Sequence, residues 1–357
     1  ITGNNMSYNP SQGIGTGDRS TPAHSNRALA IKVFSGEVLT SFETSNIFLP
    51  LVQTRTIASG KSASFAVIGQ YDTATSTHTP GTDITPNLIN AGERVIEIDS
   101  LKYASVFVDN FEEAMQHYET RSQYSTEMGR RLSKTVDTAI ISQLDLCVAN
   151  AANTNDTNGG EGQPYSDVTA FSTSAAYAIG DRVSYNSVVY VFTATHSAGA
   201  WNAAHANAVS VLSVATSGAS TAGAKGDLIL ASMFDAQTTM DEEDIPGDRY
   251  VVVSPKNYNR LVQSGAVHKD MTQGSNGGID TGKIVQVAGH NILVSNNISS
   301  SDIYMFTQNA VGVVKLLDIK SEVNYIPEKL GDLMTSSYAM GFGTLNNACV
   351  IKMTTTD

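Results

Sequence analysis

One apolar stripe constrains this chain more than anything else in it. Phe111, Met115, Tyr118, Met128, Leu132, Val136, Ile140 and Leu144 keep helical spacing, diluted in the middle by Ser122 and Ser125. The stripe predicts a helix over residues 109–149. Asp109 followed by Glu112 reads as a capping-box start. Glu112, Glu113 and Glu119 come early and Arg130, Arg131 and Lys134 later, an order that suits the helix dipole. Gly129 predicts a bend, at a propensity cost of about 1 kcal/mol against alanine. At about 1.5 Å per residue such a helix is ~60 Å long. A round globule of 357 residues is only ~50–55 Å across. The sequence therefore predicts a flat or elongated molecule built on a spine.

Other elements surround the spine. Residues 1–25 read as a flexible arm, with Gly13, Gly15 and Gly17 bracketed by Pro10 and Pro22. Residues 26–44 carry a helical stripe of Leu29, Val33, Val38 and Phe42, widened by Ile31, Phe34 and Leu39. Residues 61–69 and 93–99 read as paired strands joined by a long polar, Thr-rich connection. A structureless loop of that length is uncommon inside a compact domain, so the pair is expected to be a hairpin that projects outward. Beyond the spine, residues 151–162 and 213–226 are Gly/Ser/Thr/Ala/Asn-rich and read as linkers. They bracket about 50 residues rich in Tyr, Val and Ala, the pattern of a small inserted domain.

From Asp227 the pattern resumes. Leu228, Ala231, Phe234 and Met240 predict a helix that ends at Pro246. Residues 250–254 predict a strand buried on both faces, and Pro255 opens a short helix with Tyr258, Leu261 and Val262. Residues 283–287 and 291–295 read as a hairpin around Gly289, with further strands at 303–306, 311–319 and 349–353. Helices and strands do not alternate, so the class is α+β rather than doubly wound.

Composition removes several functions. Lys and Arg number 22 against 34 Asp and Glu, a formal net charge of −12, which argues against tight non-specific binding to DNA. No apolar run approaches a membrane span, and the polar N-terminus has no signal-peptide h-region. Two cysteines, Cys147 and Cys349, make neither a disulfide scaffold nor a metal cluster, and read as buried thiols. Residues 277–283 (GGIDTGK) match part of a P-loop, but Ile284 stands where Ser or Thr must hold magnesium and a hairpin follows instead of a helix. The acidic run 241–244 lacks EF-hand spacing and reads as a solvated turn. His24, His78, His117, His196, His205, His268 and His290 are scattered, without the HExxH arrangement. No nucleophile elbow occurs. The expectation is a protein with no catalytic residues, no metal and no cofactor.

Charged residues are only 16% of the chain, which hints at surface that meets other chains. Of the 56 charged side chains, 10 lie in residues 1–92 and four in residues 163–225. The shortage therefore sits in the arm, the hairpin and the insert. Within the insert, Tyr177, Tyr185, Tyr190, Phe192 and Trp201 surround Gly180, Asp181 and Arg182. They could form the core of a small unit or an exposed face that stacks on sugar rings.

Residues 32–69 (KVFSGEVLTSFETSNIFLPLVQTRTIASGKSASFAVIG) and 111–132 (FEEAMQHYETRSQYSTEMGRRL) resemble the major capsid proteins of T-seven-like podophages, the autographiviruses. Residues 241–261 (DEEDIPGDRYVVVSPKNYNRL) are similar to an acid–Pro–Gly–Arg–strand–Pro–Tyr signature of tailed-phage capsid proteins, and 336–352 (SSYAMGFGTLNNACVIK) to the family's closing strand. The resemblance implies the HK-ninety-seven-type phage capsid fold. It implies an N-arm at 1–53, an E-loop hairpin at 54–104 and the P-domain spine helix at 105–150. An A-domain would fill most of 226–310, and residues 311–357 would return as P-domain strands. The small all-β insertion occupies 151–225, with its module at 163–212.

The function so implied is a coat protein that assembles with itself, as hexamers and pentamers, into an icosahedral shell around double-stranded DNA. Scaffolding protein, portal protein and non-specifically packaged DNA are the implied partners, with no membrane. The implied location is the virion, assembled in the host bacterial cytoplasm. Phe34, Phe42, Lys61, Phe65, Val67 and Arg94 of the N-arm and E-loop are the expected inter-subunit contacts. The family's archetype crosslinks through an E-loop lysine; Lys61 is on that loop, but crosslinking is not expected of podophage relatives. Residues 177–201 (YAIGDRVSYNSVVYVFTATHSAGAW) resemble a chitin-binding type of carbohydrate-binding module. That family places two adjacent exposed rings after its last tyrosine, where this chain has Val191, Phe192, Thr193 and Ala194. A host-adhesion role for the insert is the alternative implied.

Overall fold

The computed structural model describes residues 26–68, 80–81, 83, 91–109, 121–149, 169–179, 181–186, 188–208, 211–242, 245, 247–264, 286–287 and 289–356. Two compact units result, each discontinuous in sequence. The first combines residues up to Asn46 with Ser100–Val136 and Leu317–Met340; the second holds the rest.

In the first unit, helix α1 (Asn26–Ser45) carries Phe34, Val38 and Phe42 on its inner face, while Val33 and Leu39 of the expected stripe turn outward; the side chains of Leu29 and Ile31 lie outside the described residues. Helix α2 (Arg121–Ala149) begins here and continues into the second unit. At about 1.5 Å per residue it is ~43 Å long. Residues 110–120 of the expected spine lie outside the described residues. Asp109 closes strand β4 (Leu101–Asp109), which pairs antiparallel with β15 (Gly331–Thr344), from Gly331 opposite Asp109 to Ala339 opposite Leu101. Phe34, Val38, Val108, Met128 and Met334 form one buried cluster, flanked by Tyr124, Ala104, Val106, Ile319 and Val323.

Gly129 lies inside α2 without interrupting it. A Cβ on Gly129 would sit 2.5 Å from the Val38 carbonyl oxygen, 2.8 Å from Ser41 Cβ and 3.1 Å from Phe42 N. The residue expected to bend the spine is instead where α1 crosses it backbone to backbone. Ser41 Oγ donates to the Thr126 carbonyl (2.7 Å) and Ser125 Oγ donates to Glu37, fastening that crossing on both sides.

In the second unit a six-stranded mixed sheet has β10 (Arg249–Val253) near its centre, between β12 (His290–Val294) and β13 (Asp302–Thr307). β10 is the strand predicted to be continuously apolar and β13 one of the further strands predicted, and every residue of β13 is buried. Beyond them come β16 (Val350–Thr356) and, at one edge, β9 (Val211–Ala215); β11 (Gln286–Val287) is the other edge. Two expectations need correction here. Residues 213–226 are not a linker: Val211, Leu212 and Val214 give β9 enough apolar surface to pair parallel with β16, and helix α3 (Ala222–Glu242) starts within the same stretch. The closing strand β16 pairs with β13, not with β15 or with β14 (Val311–Ile326), whose start pairs parallel with β1 (Gln53–Thr56).

Helix α3 also turns its stripe. Ile229, Met233, Ala236 and Met240 are buried, while Leu228, Ala231 and Phe234 face outward. Ser232 Oγ lies 3.6 Å from Met353 Sδ, which sets the buried face over β16. The short helix α4 (Pro255–Val262) starts at Pro255 as predicted, capped by Ser254 Oγ. Cys147 and Cys349 are buried free thiols, and burial pushes both above the ordinary thiol range.

A buried carboxyl and a half-buried lysine hold the second unit. Asp137, on α2, accepts hydrogen bonds from the backbone N–H of Phe48 (3.2 Å) and Ile47 (3.5 Å) and from Asn297 Nδ2 (3.1 Å). Lys352 Nζ donates to Asp145 (2.8 Å) and pairs with Asp302 (3.0 Å), and Tyr304 Oη donates to Asp145 (2.8 Å). Burial pulls against the Lys352 ammonium, but its bonds to the two carboxylates outweigh that and hold it above the ordinary lysine range. A paired lysine of this kind fixes α2 against β13 and β16 through charge-assisted bonds.

Candidate assembly surfaces

The hairpin expected at 61–99 is formed by β2 (Ser62–Ile68) and β3 (Ala91–Glu97), in register from Ser62 opposite Glu97 to Ile68 opposite Ala91. Strand alternation splits its side chains into two sets. Ala63, Phe65, Ile96 and Ile98 are buried, whereas Val95 is 57% exposed. The base of the hairpin is seated closely. A Cβ on Gly343 would lie 2.8 Å from Ile96 Cγ1, and one on Gly341 would lie 2.5 Å from the Glu97 carbonyl oxygen. The Gly-x-Gly of 341–343 is thus the floor on which Ile96 rests. Apart from residues 80, 81 and 83, the connection between the two strands lies outside the described residues.

This geometry redistributes the expected contact residues. Phe34 and Phe42 belong to the interior of the first unit, and Phe65 is 5% exposed in the second. Large apolar side chains were assigned to neighbours, but these three are consumed by the subunit's own core. Lys61 is exposed and pairs with Glu97 at 3.2 Å, a surface pair that contributes little. Arg94 is half-buried, opposite Phe65 in the register. The side chain of Val67 lies outside the described residues.

The apolar groups that do face solvent are others. Tyr103 (69% exposed), Leu101 and Phe107 line the outer face of β4, an edge strand of its sheet among the described residues. Val33 and Leu39 face outward from α1, and Leu228 and Phe234 from α3. In β4 the signal was present in the sequence as alternation of Leu101, Tyr103 and Phe107 against Ala104, Val106 and Val108. Both sets are apolar, so no polar face marked the strand.

The insert is a four-stranded sheet of β5 (Thr169–Ala170), β6 (Arg182–Tyr185), β7 (Val188–Phe192) and β8 (Ala206–Ala208). Its five singled-out rings pack on one another. Tyr177 stacks on the buried Phe192 with centroids 4.9 Å apart, and Tyr185 stacks on Trp201 at 4.3 Å. Tyr190 meets Trp201 edge to face at 4.7 Å, and Phe171, which sequence reasoning passed over, joins both groups. Val183, Phe192 and Ala206 are the buried centre of this cluster. The rings are the module's core, which is the plainer of the two readings open at the sequence level.

The remaining candidates resolve simply. Residues 277–283 lie outside the described residues, as do 243 and 244 of the acidic run; Asp241 of that run pairs with Arg249. Among the described residues no three His, Cys, Asp or Glu side chains gather as a metal site, and no helix is long and apolar enough to cross a membrane.

Comparison with known proteins bears directly on these surfaces. Residues 64–183 match the model of the Gp10A-like major capsid protein family. The chain is 37% identical over 154 residues to the major capsid protein of Enterobacteria phage T3, covering 43% of this chain and 44% of that protein. It is 35% identical over 146 residues to the major capsid protein of Escherichia phage T7, covering 41% of each. The chain thus spans less than half the length of these curated relatives. The fold match is wider. The capsid structure of cyanophage P-SCSP1u superposes with a TM-score of 0.61 at 29% identity, covering 87% of this chain and 88% of the other. The mature capsid of bacteriophage PhiM1 gives a TM-score of 0.58 at 12% identity, covering 87% of each chain. Residues 64–183 are thus similar to the Gp10A-like major capsid proteins, and along most of its length the chain has the HK-ninety-seven-type fold of phage capsid proteins.

Proposed function

We propose that this protein is the major coat subunit of an icosahedral phage head, joining copies of itself as hexamers and pentamers around double-stranded DNA. The observation that carries this reading is the likeness, over 87% of the chain and at 29% identity, to a cyanophage capsid protein. In this reading residues 1–53 serve as the N-arm, 54–104 as the E-loop, 105–150 as the P-domain spine helix, 151–225 as the insertion, 226–310 as the A-domain and 311–357 as the C-terminal P-domain strands. Scaffolding and portal proteins are its assembly partners, and the host cytoplasm is where shells form. The work is mechanical and needs no catalytic group. A net charge of −12 suits a container, because a strongly basic wall would hold the packaged genome electrostatically.

The hairpin's outward face is the contact that reaches a neighbouring subunit, and Val95 is its exposed apolar centre. Val95→Asp is expected to abolish shells in electron micrographs of the expressed protein while the unfolding midpoint of the free subunit shifts little, since a side chain this exposed contributes within about 0.5 kcal/mol. Shells of normal size and number from that variant would remove Val95 from the interface. Phe65 is unsuited to this test, because a charge there would be buried inside the subunit.

A further inference from the structure

Strand β4 joins three properties that an edge strand seldom keeps together: length, an apolar outer face and no protection against pairing. It runs for nine residues, Leu101–Asp109, against about five or six in an ordinary strand. Bulges, prolines and charges are what ordinarily keep an edge strand from pairing. The register of β4 with β15 is unbroken from Asp109 to Leu101, so no bulge turns it away. It contains neither Pro nor Gly, and no charge lies between Lys102 and Asp109. Its outward row is Leu101 (53% exposed), Tyr103 (69%), Ser105 and Phe107 (40%). Phe107 is held in place: a Cβ on Gly331 would overlap its ring, and Lys329 Nζ sits 5.9 Å from the ring centroid. Behind this row, Ala104, Val106 and Val108 pack toward the core of the first unit. One edge of β4 is taken by β15; the other carries no strand among the described residues.

We propose that β4 is a two-fold contact between copies of this chain, in which that second edge pairs antiparallel with β4 of another copy, centred on Ser105. The contact rests on the coat-subunit reading and supplies an isologous joint, the kind that a two-fold axis of a closed shell requires. Pairing over the full nine residues places Ser105 opposite Ser105 of the second copy. Tyr103 of each copy then stands opposite Phe107 of the other on the outer face, a cross-strand aromatic pair made twice. The charges favour the same direction. Antiparallel pairing brings Lys102 of each copy beside Asp109 of the other, whereas parallel pairing would set like against like at both ends.

Area decides how strong the contact is. Taking roughly 200 Å² for a fully exposed large side chain, Leu101, Tyr103 and Phe107 offer ~300 Å² per copy. Two copies bury about 600 Å² of apolar side chain, below the ~1,200 Å² at which an interface holds free partners together. The pair is therefore weak between free subunits and is held by the many other contacts of a lattice. Its test must trap it.

Ser105→Cys puts a thiol at the centre of the pair, at an exposed position where directly opposed residues stand ~5 Å apart, within disulfide reach. Cys147 and Cys349 are buried and stay out of the reaction. The full-length protein is oxidised with copper phenanthroline, which takes up two electrons as two thiols lose their protons and join. Covalent dimer is read on non-reducing gels, for concentrated free subunit and for assembled particles. Ser105→Cys is expected to give about ten-fold more dimer than Leu317→Cys, which places a thiol at an exposed position two strands away in the sheet. Tyr103→Cys is expected to match that control, because its thiol faces Phe107 and lies ~14 Å from its own symmetry mate. Adding Tyr103→Asp to Ser105→Cys is expected to cut dimer roughly ten-fold by removing a central ring, while the unfolding midpoint of the free subunit stays in place. Normal shells without dimer from Ser105→Cys would overturn the β4 contact and leave the coat reading standing. Dimer from free Ser105→Cys subunits that form no shells would support the contact and remove the coat reading. Dimer that ignores Tyr103→Asp, or forms equally in Tyr103→Cys, would also overturn the contact.

Discussion

Asp137→Asn is expected to remove a pH dependence of stability that the wild-type subunit carries. Burial raises the Asp137 carboxyl from an ordinary value of 3.8 to about 6, against the pull of the Phe48 and Ile47 N–H groups and the Asn297 amide. A carboxyl whose folded value lies above its unfolded value favours the folded state most at low pH. That contribution is fully present below about pH 3.8 and is lost as the pH rises through about 6. The difference corresponds to about 3 kcal/mol. Asparagine keeps one oxygen for the Phe48 N–H, and its NH₂ can donate to Asn297 once that amide turns over. The wild type should therefore lose about 3 kcal/mol relative to Asp137→Asn between about pH 4 and about pH 8, read by urea unfolding of the free subunit at a series of pH values. Asp137→Ala leaves the buried Phe48 N–H without its acceptor, and at about pH 5 should cost 2–4 kcal/mol, roughly the penalty for unsatisfied buried donors. Parallel wild-type and Asp137→Asn profiles would show that the carboxyl is not held up by burial.

Gly129→Ala is the second large effect, and its sign separates two readings of one glycine. As a mere interruption of a helix, Gly129 would be improved by alanine by about 1 kcal/mol. As the crossing point of α1 and α2, it cannot take a Cβ, because the obstructing atoms include the Val38 carbonyl oxygen and Phe42 N, which belong to backbone and cannot swing aside. The expected result is a net loss of about 2 kcal/mol for Gly129→Ala, with a larger loss for Gly129→Val, since overpacking at a closed contact costs roughly 1–3 kcal/mol and the branched side chain adds to it. An alanine variant as stable as the wild type would mean that the helices stand further apart than these contacts require.

These two residues also mark what the sequence could and could not disclose. Met128, Leu132, Val136, Ile140 and Leu144 are legible because a stripe at spacing four needs only local geometry to be read, and all five are buried on one face of α2. β10 and the two hairpins were legible for the same reason. The function of Gly129 was not, because it depends on α1, more than 80 positions earlier. β4 was hidden by having apolar residues on both faces. On α3, two apolar rows compete, and only the sheet beneath decides that Ile229, Met233 and Met240 go inward while Leu228 and Phe234 do not. The Ser/Thr/Gly-rich stretch after Val211 hid a strand because β9 draws its stability from β16, far along the chain.

The same limit shaped the contact residues. Phe34, Phe42 and Phe65 carry the apolar character expected of an interface, yet strand and helix periodicity place them inside the subunit. Val95 and Tyr103, less conspicuous in the sequence, are the ones left facing out. In the insert, the number of rings pointed to a site, whereas their mutual stacking makes them a core.

The central claim is that this chain closes a shell from copies of itself. Electron microscopy of the full-length protein, co-expressed with a scaffolding protein from a related phage and purified by sedimentation, tests it most directly. Closed icosahedral particles whose walls resolve into hexameric and pentameric capsomers are the predicted result. Discrete monomers under every condition of expression and ionic strength, from a subunit that is demonstrably folded, would contradict it.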